Sequence, residues 1–400
     1  MTQLRPNVTR TTYDGFEQGP IRPPSEAYSL LIRVTRNCPW NRCTFCPVYK
    51  GSRFSIRPVD HLKADVDSVH RYVETLRQMA DGSGHIRRTE PFVLGPLARG
   101  LSQRAADVEP EDWQTFNTAL NWFAGGMTSV FLQDANSLVI KPSDLVEILK
   151  HLKMRFPWVE RITSYARSHT LARMKDNDLK AMRDTGLNRI HTGLESGSDK
   201  VLKMVKKGAT KEMHIKAGLR VKRAGIELSE YYMPGLGGRA LSEENALETA
   251  DALNQINADF IRLRPLAIPT RAPLFEDYEA GHFDKCTDVM VAREVLTFIE
   301  GLEGITSVVK SDHMLNLFGD LEGTFPRDKE RMVTILRTFL AMDPDRQRLY
   351  QVGRRLGIFS CLNDMRNPHR LTNAERAYRE LGITSDNVDE IIDQLIKRFI

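Results

Sequence analysis

Between residues 29 and 266 the sequence alternates between short apolar, β-branched runs and amphipathic helical patterns. The strand-like runs lie at residues 29–35, 129–133, 161–165, 188–192, 226–232 and 260–266, and helical patterns separate them at 59–80, 143–155, 178–185, 211–223 and 243–256. A strand followed by a helix is one βα unit, and such units place their strands in parallel with right-handed crossovers. The alternation therefore predicts an α/β fold, either an open doubly wound sheet or a partial (β/α)6 barrel, with ligands beyond the carboxyl ends of the strands.

Three regions are expected along the chain. They are an N-terminal extension over residues 1–27, the α/β core over 28–269 and a C-terminal region over 270–400. An insertion at about 81–113 interrupts the core, because Gly and Pro are frequent there and no periodic pattern continues. Beyond residue 269 mostly helical patterns follow, at 289–302, 328–342, 374–381 and 387–398. We interpret this last region as lying on the substrate side of the core or capping it.

Composition limits the cellular setting and the partners. The chain is 41% apolar and 27% charged, contains no apolar run of the ~18 residues that a membrane span needs, and begins with a polar segment without a signal or lipidation motif. Its five cysteines are odd in number and mostly clustered, which is unlike a secreted disulfide framework. We expect a cytoplasmic protein. The net charge of +5 is spread along the chain, so that nucleic acid is neither required nor excluded.

Three of the five cysteines lie within nine residues, as Cys38-x4-Cys43-x2-Cys46, directly after the first predicted strand. Three thiolates on one loop can bind three irons of a four-iron cubane and leave the fourth iron open to a small molecule. A closed zinc site would need a fourth Cys or His at short spacing, and the segment has none. Buried cysteines without a ligand are the other alternative. The pattern favours an iron–sulfur cluster on the face where the fold places active sites.

The strand and the three-cysteine loop, with Phe45 before the last cysteine, resemble the radical S-adenosylmethionine (radical SAM) superfamily. Four residues separate the first two cysteines, where the commonest arrangement of the family has three. Later segments are similar to the branch that contains the Elp3, coproporphyrinogen dehydrogenase (HemN-like) and methylthiotransferase cores. These segments are residues 48–51 (VYKG), 165–168 (YARS), 193–197 (GLESG), 206–208 (KKG) and 235–238 (GLGG). They occur in the family's order over residues 28–269.

This resemblance implies the partial (β/α)6 barrel, two cofactors and a reaction. A [4Fe–4S] cluster on Cys38, Cys43 and Cys46 would be completed by the amino and carboxylate groups of SAM. One electron, from an external reductant of the ferredoxin or flavodoxin type, would cleave SAM to methionine and a 5′-deoxyadenosyl radical. That radical would abstract a hydrogen atom from the substrate. The difficult chemistry then belongs to the cofactors, and the protein supplies position and exclusion of water.

The resemblance also implies contacts to SAM, and no catalytic residue is assigned beyond the cluster. Gln133, Asp134 and Asn136 occupy the position that meets the SAM amino group, whereas Gly125 and Gly126 precede the strand and form a turn. Glu195 would bind ribose hydroxyls or the amino group. The other predicted contacts are Tyr165 in the 165–168 segment, Arg167 and Lys207 for the SAM carboxylate, and Gly235 and Gly237 for close approach to adenine.

The substrate is less well defined by the sequence. Arg262 and Arg264 alternate on the last predicted strand and point to one face, where they need an anionic ligand or acidic partners. We expect a small-molecule substrate. One alternative is an RNA- or tRNA-modifying enzyme, against which stands the absence of a basic stripe or an appended RNA-binding module in the sequence. The other is a non-catalytic metal-binding scaffold protein that retains the barrel.

Overall fold

The structure is a computed structural model that describes residues 12–81 and 112–397. Most of the predicted insertion at 81–113 and the first 11 residues therefore lie outside the described residues. The strands are β1 (Leu30–Arg33), β2 (Thr35–Arg36), β3 (Ser55–Ile56), β4 (Ser129–Gln133), β5 (Arg161–Tyr165), β6 (Leu187–Glu195), β7 (Glu227–Tyr232), β8 (Phe260–Leu263), β9 (Val308–Lys310) and β10 (Gly323–Thr324).

The helices lie mostly between strands, as a βα architecture requires. They are α1 (Val59–Asp81), α2 (Trp113–Ala124), α3 (Pro142–Arg155), α4 (Ser168–Leu171), α5 (Asp176–Asp184), α6 (Asp199–Met204), α7 (Lys211–Arg223), α8 (Ser242–Ile256), α9 (Leu274–Glu279), α10 (Asp288–Gly301), α11 (Lys329–Leu340), α12 (Pro344–Arg355), α13 (Pro368–Glu380) and α14 (Val388–Ile396). Short 3₁₀ segments occur at Pro24–Glu26, Ser137–Val139 and Leu362–Arg366. Among the described residues, no helix is both long and apolar enough to cross a membrane.

The main sheet confirms the predicted α/β class, and its strand order is that of the partial barrel. Its eight strands follow the order β1-β4-β5-β6-β7-β8-β9-β10, and all neighbours are parallel except β9 and β10. Each crossover thus adds the next strand beside the previous one, as in a partial barrel. The six predicted strands are all present, and β4 and β5 begin and end at the predicted residues.

The sheet continues beyond the six predicted strands. Strand β9 adds a further parallel strand from the region that we interpreted as mostly helical, and β10 pairs with β9 in the antiparallel sense. Helix α12 was also not predicted; Pro344 occupies its first turn and the Asp343 side chain accepts a hydrogen bond at its N-terminus. Strands β9 and β10 have only three and two residues, which is too few for a period-2 pattern to be visible in the sequence.

The two faces of the sheet differ in character. Alternate residues such as Ile32, Leu132 and Leu228 are buried in the apolar core under the helices. The opposite, inner face carries Phe131, Tyr165, His191 and Tyr231, whose rings contact one another across neighbouring strands. A parallel sheet covered by helices needs apolar residues on its outer face, and the inner face is left for polar and aromatic chemistry.

Glu26 and Ser29 of the N-terminal segment lie at the amino-terminal ends of the first strands. Glu26, fully buried, accepts a hydrogen bond from Ser29 at 2.5 Å and lies 3.4 Å from both Arg161 and the His191 ring. Ser29 also contacts Ser129 at 2.7 Å, at the start of β4. The carboxyl ends of the strands, where this architecture places ligands, are called the open end below.

Candidate active site

A small hairpin presents the three cysteines at the carboxyl end of β1. Strands β2 and β3 pair in the antiparallel sense and hold the loop of residues 37–54 between them. Asn37 and Asn41 both adopt left-handed backbone conformations, with φ of 69° and 44°, which Asn tolerates better than most residues. The Asn41 N–H donates a hydrogen bond to Cys38 Sγ at 3.4 Å. Local sequence thus supplies the tight turns that a multi-ligand loop needs.

The three thiols influence one another electrostatically. Burial raises the pKa of the Cys43 thiol; Lys207 and Arg167 oppose that shift, whereas Cys46 and Cys38 add to it. Burial also raises the pKa of Cys46, with a further contribution from Cys38. Cluster ligands are thiolates, so the two cations favour the form that binds iron.

The three thiols are suited to a cubane, in which each thiolate binds a different iron. Among the described residues, no three His, Cys, Asp or Glu side chains converge on one metal position. A four-iron cluster needs a looser set, because each thiolate binds a different iron. Three thiols on one loop beside two cations meet that requirement.

Asp134 anchors the cysteine loop from the end of β4. Its carboxylate is fully buried and accepts hydrogen bonds from Arg33 Nη2 at 3.0 Å and from the Asn37 N–H at 3.0 Å. The Tyr49 hydroxyl donates to the same carboxylate from the far side of the loop. Burial and the Asp134 charge raise the pKa of Tyr49, which keeps the hydroxyl a donor. One buried carboxylate therefore fixes both ends of the loop.

Gln133 and Asn136 also bind protein groups through their side chains. The Gln133 amide accepts from the Gly19 N–H at 2.9 Å and donates to the Ile21 carbonyl at 2.8 Å. Asn136 accepts from the Arg167 N–H at 3.0 Å. The contact of Gln133, Asp134 and Asn136 with the SAM amino group stays a prediction. For that contact, the three side chains would have to share their hydrogen-bond donors and acceptors between SAM and these internal partners.

Glu195 and Lys207 form an ion pair at the end of β6. Glu195 Oε1 lies 3.0 Å from Lys207 Nζ, and the Glu195 backbone is left-handed, with φ of 65°. Gly193 makes room for this pair, since a Cβ at that position would lie 2.2 Å from Glu195 Oε1. The register with β7 shifts between Gly193 and Glu195. The irregular strand end thus turns a carboxylate and an ammonium toward each other.

Arg167 connects this ion pair to the cysteine loop. Its Nη2 donates to the Lys207 carbonyl at 2.8 Å, and its guanidinium lies 5.1 Å from the centre of the Trp40 ring. Burial lowers the pKa of Arg167, an effect that Cys38 and Cys43 oppose. The predicted residues Arg167, Glu195 and Lys207 are therefore brought together beside the cysteines. Tyr165 lies on the inner face next to them, and burial raises its pKa to about 12.

Glu294 holds the glycine loop after β7, a role that was not predicted from the sequence. Glu294, buried on α10, accepts from the Gly235 N–H at 3.0 Å, from the Tyr232 hydroxyl at 2.7 Å and from Asn245 Nδ2 at 2.7 Å. A Cβ at Gly237 would lie 2.8 Å from the Leu241 carbonyl, so the chain itself packs closely there. A glutamate on an otherwise apolar helical face was the signal that could have identified this role.

The two arginines of the last predicted strand differ in burial and in their partners. Arg262 is buried, donates to Ser229 Oγ at 3.1 Å and pairs with Asp312. Arg264 is exposed just past β8, and its guanidinium has no ion-pair or hydrogen-bond partner among residues 12–81 and 112–397. Burial, together with the charge of Arg264, lowers the pKa of His313 to about 4.

Comparison with known proteins agrees with the resemblance. Residues 110–250 match the family described as Radical SAM superfamily. This range does not include the cysteine loop, so the family match and the cysteine motif are separate observations. Two curated relatives are similar over the greater part of the chain, both described as tRNA uridine(34) acetyltransferase. The protein from Methanocaldococcus infernus is 25% identical over 273 residues, and that from Methanocaldococcus jannaschii is 21% identical over 271.

Each of these alignments covers 66% of the chain and 47% of the relative, so the chain spans about half the length of the curated relatives it matches. Solved structures with a similar arrangement include the archaeal Methanocaldococcus infernus Elp3 (16% identity, 46% of this chain and 48% of that chain, TM-score 0.38). Coproporphyrinogen III oxidase (HemN) from Escherichia coli is another (14%, 68% and 52%, TM-score 0.43). Methylornithine synthase (PylB) is a third (16%, 80% and 83%, TM-score 0.40).

The family match covers the βα units that present Arg167, Glu195 and Lys207, and the cysteine hairpin follows β1, which pairs with β4 of that region. Enzymes of this family use a [4Fe–4S] cluster and SAM, the two cofactors predicted from the resemblance. The chain is therefore an enzyme with a radical SAM domain, matched over residues 110–250, and this match fits the resemblance to the Elp3- and HemN-like branch.

Proposed function

We propose that Cys38, Cys43 and Cys46 hold the [4Fe–4S] cluster and that the enzyme uses it to start a hydrogen abstraction. Bound together, the cluster and SAM supply a 5′-deoxyadenosyl radical that removes a hydrogen atom from the substrate. The observation that carries the proposal is the cysteine hairpin, which stands at the open end of the barrel with Arg167 and Lys207 beside its thiols.

The residues around the hairpin would orient SAM. Arg167 and Lys207 can pair with the SAM carboxylate by charge-assisted hydrogen bonds, and Glu195 can accept from the amino group or from ribose hydroxyls. The existing Glu195–Lys207 pair at 3.0 Å holds both groups in position before the cosubstrate arrives. The loop of Gly235 and Gly237 provides backbone for adenine to pack against. Preorganised positions of this kind lower the entropy cost of a productive geometry.

The substrate is proposed to be a small molecule with an anionic group. Arg264 supports this, because it follows the carboxyl end of β8 and has no ion-pair partner in the part of the chain that the structure describes. An unpaired guanidinium is suited to a carboxylate or a phosphate, which it can bind in a bidentate manner. Arg262 is unsuited to that role because Asp312 already neutralises it.

A tRNA uridine is the second candidate substrate. The observation in its favour is that both curated relatives are described as tRNA uridine(34) acetyltransferases. The chain spans 47% of each relative, so their whole activity transfers only as a proposal.

Anaerobic reconstitution tests the cluster assignment. The purified chain is loaded with iron and sulfide, reduced with dithionite and mixed with SAM; iron per chain and 5′-deoxyadenosine are then measured. We expect about four irons per chain and deoxyadenosine formation in the parent, and loss of both in Cys38→Ala, Cys43→Ala and Cys46→Ala. Cys361→Ala is the matched control and should behave like the parent. Iron binding without SAM cleavage in the parent would refute the proposed chemistry.

The substrate candidates are separated by stimulation of the same signal. Substrate consumption draws on the radical, so the true substrate should increase deoxyadenosine formation above the background rate. Total tRNA and a pool of anionic metabolites are added separately to the loaded enzyme. Stimulation by tRNA alone would replace the small-molecule assignment, and stimulation by the metabolite pool that Arg264→Gln abolishes would support it.

A further inference from the structure

A cavity of about 550 Å³ lies on the outer side of the cysteine loop. Residues of the loop itself and of the α6–α7 connection line it. Its lining includes Trp40, Arg42, Leu202, Lys203, Lys206 and Met213. The cavity is thus adjacent to the candidate SAM site and shares the loop that carries the cysteines.

Trp40 forms the wall between the cavity and the cysteines. Its indole Nε1–H donates to the Lys206 carbonyl at 2.7 Å. Gly208 gives the ring room, since a Cβ there would lie 2.4 Å from the indole, and its φ of 70° also favours Gly. The neighbouring Lys207 carbonyl lies 4.0 Å from Cys43 Sγ. Trp40 in the cavity wall is therefore connected to the Cys43 thiol through the adjacent residues Lys206 and Lys207.

The surface of the cavity is positively charged. Arg42, Lys203 and Lys206 are exposed and form no ion pair with any residue in the described part of the chain. Asp199 is the acidic residue of the lining, and its carboxylate also accepts the Lys211 N–H at 2.8 Å. Three unpaired cations thus surround an apolar wall of Trp40, Leu202 and Met213. A small apolar centre with a charged rim is the usual composition of a transient protein interface.

We infer that this surface, defined by Trp40, Arg42, Lys203 and Lys206, docks an acidic one-electron carrier protein that reduces the cluster. The inference rests on the proposed function, because SAM cleavage takes one electron that the carrier loses and the cluster gains. A carrier must bring its own redox group close to the cysteine loop, and the cavity is adjacent to that loop. Complementary charge steers such encounters and raises their association rate.

The same geometry argues against an RNA strand at this surface. Binding of single-stranded RNA depends on aromatic faces that are open to stack on bases. The guanidinium groups of Arg42 and Arg167 already lie over the Trp40 ring, 5.3 Å and 5.1 Å from its centre. Two cations therefore already contact the ring on which a base would have to stack.

The test is a charge reversal with a matched control. The variant Arg42→Glu/Lys203→Glu/Lys206→Glu changes the docking surface. The control Lys150→Glu/Lys175→Glu/Lys180→Glu makes the same change in net charge at exposed positions around α3 and α5. Both cluster-loaded proteins are compared with the parent for oxidised flavodoxin binding by calorimetry. Deoxyadenosine formation is measured with reduced flavodoxin and, separately, with dithionite.

We expect the docking variant to bind flavodoxin about tenfold more weakly and to form deoxyadenosine about tenfold more slowly with reduced flavodoxin. Its dithionite-driven rate and its iron content should be unchanged. The control should match the parent in all readouts. Parent-like flavodoxin binding and rate in the docking variant would overturn the inference but leave the proposed function intact. No deoxyadenosine with dithionite in the parent would instead refute the proposed function. Weaker tRNA binding in a gel shift with an unchanged flavodoxin-driven rate would assign the surface to RNA and also overturn the inference.

Discussion

A few residues at strand ends hold the candidate site in its shape. The Glu195–Lys207 pair is largely buried, with 13% and 12% of the side chains exposed, so solvent screens it less than a surface pair. Gly193 leaves the space that the two side chains occupy. Asp134 plays the corresponding part for the cysteine loop through Arg33 and Tyr49.

Gly193→Ala should separate the Glu195–Lys207 pair. The new methyl group would lie 2.2 Å from Glu195 Oε1 and 2.9 Å from Lys207 Nζ, and both are ends of flexible side chains that can move away. We expect the free energy of unfolding to fall by about 1–2 kcal/mol, the scale of one charged hydrogen bond, as measured by urea denaturation. In a Glu195→Ala background the same substitution should cost much less. An equal cost in both backgrounds would show that Gly193 acts through the backbone instead.

His214 should make stability depend on pH. Its ring is fully buried, with Nδ1 2.6 Å from Ser168 Oγ, and burial lowers its pKa to about 3. An unfolded chain protonates the ring near pH 6.5, whereas the folded chain does not, so stability falls as pH drops below that value. Between pH 7.5 and 5.0 the loss is about 2 kcal/mol.

The measurement is urea denaturation at both pH values. His214→Gln should remove about 2 kcal/mol of the difference between pH 7.5 and 5.0, whatever it does to stability at either single pH. His369→Gln, on the exposed start of α13, is the control and should keep the parent's pH dependence, because that ring is in solvent whether or not the chain is folded. A His214→Gln variant with the parent's dependence would contradict the argument.

At the scale of elements, the N-terminal segment braces the cysteine hairpin. Glu17 lies 2.6 Å from both Arg36 on β2 and Arg57 just after β3, and 3.3 Å from Arg33 on β1. Burial opposes ionisation of Glu17, but these arginines lower its pKa overall. One carboxylate thereby connects β1 with both strands of the hairpin. Such a brace limits opening of the hairpin, because its two strands pair over only two residues each.

Glu17→Gln should loosen the hairpin and release iron more easily. The amide keeps the shape but not the charge, so the three arginines lose a common partner. We expect a fall of about 1–3 kcal/mol in the free energy of unfolding and faster removal of iron by a chelator. Asp14→Asn, at an exposed position of the same segment, is the matched control. Identical chelation rates in Glu17→Gln and the parent would show that the brace does not hold the hairpin.

At the scale of the whole molecule, the sheet joins the core to the C-terminal region. Strands β9 and β10 extend it past β8, and α14 is tied back to the chain by Asp393, which pairs with Lys285 and accepts from the Tyr278 hydroxyl at 3.2 Å. The apolar core includes Leu30 from the first strand and Phe339 from α11. We therefore expect ligand binding at the open end to raise the free energy of unfolding of the whole molecule.

SAM should stabilise the cluster-loaded protein as a whole. A ligand that binds only the folded state adds about 2.7 kcal/mol when it is present at 100 times its Kd. We expect the Tm of the loaded parent to rise with SAM concentration in anaerobic calorimetry. The Cys43→Ala variant should show a much smaller rise, since the open iron would be missing. Equal shifts in the two proteins would mean that SAM binds without the cluster.

The sequence by itself determined the α/β class, the positions of the six core strands along the chain, the three-cysteine loop and the resemblance to a family branch, because each depends on a local pattern of a few residues. Strand alternation and cysteine spacing need no partner distant in the chain. Only the tertiary structure showed that Gln133 binds Gly19, that Asp134 holds the loop, that Glu294 supports the glycine turn and that β9 continues the sheet. These contacts join residues that are far apart in sequence, and the chain meets them only when the barrel brings the strand ends together.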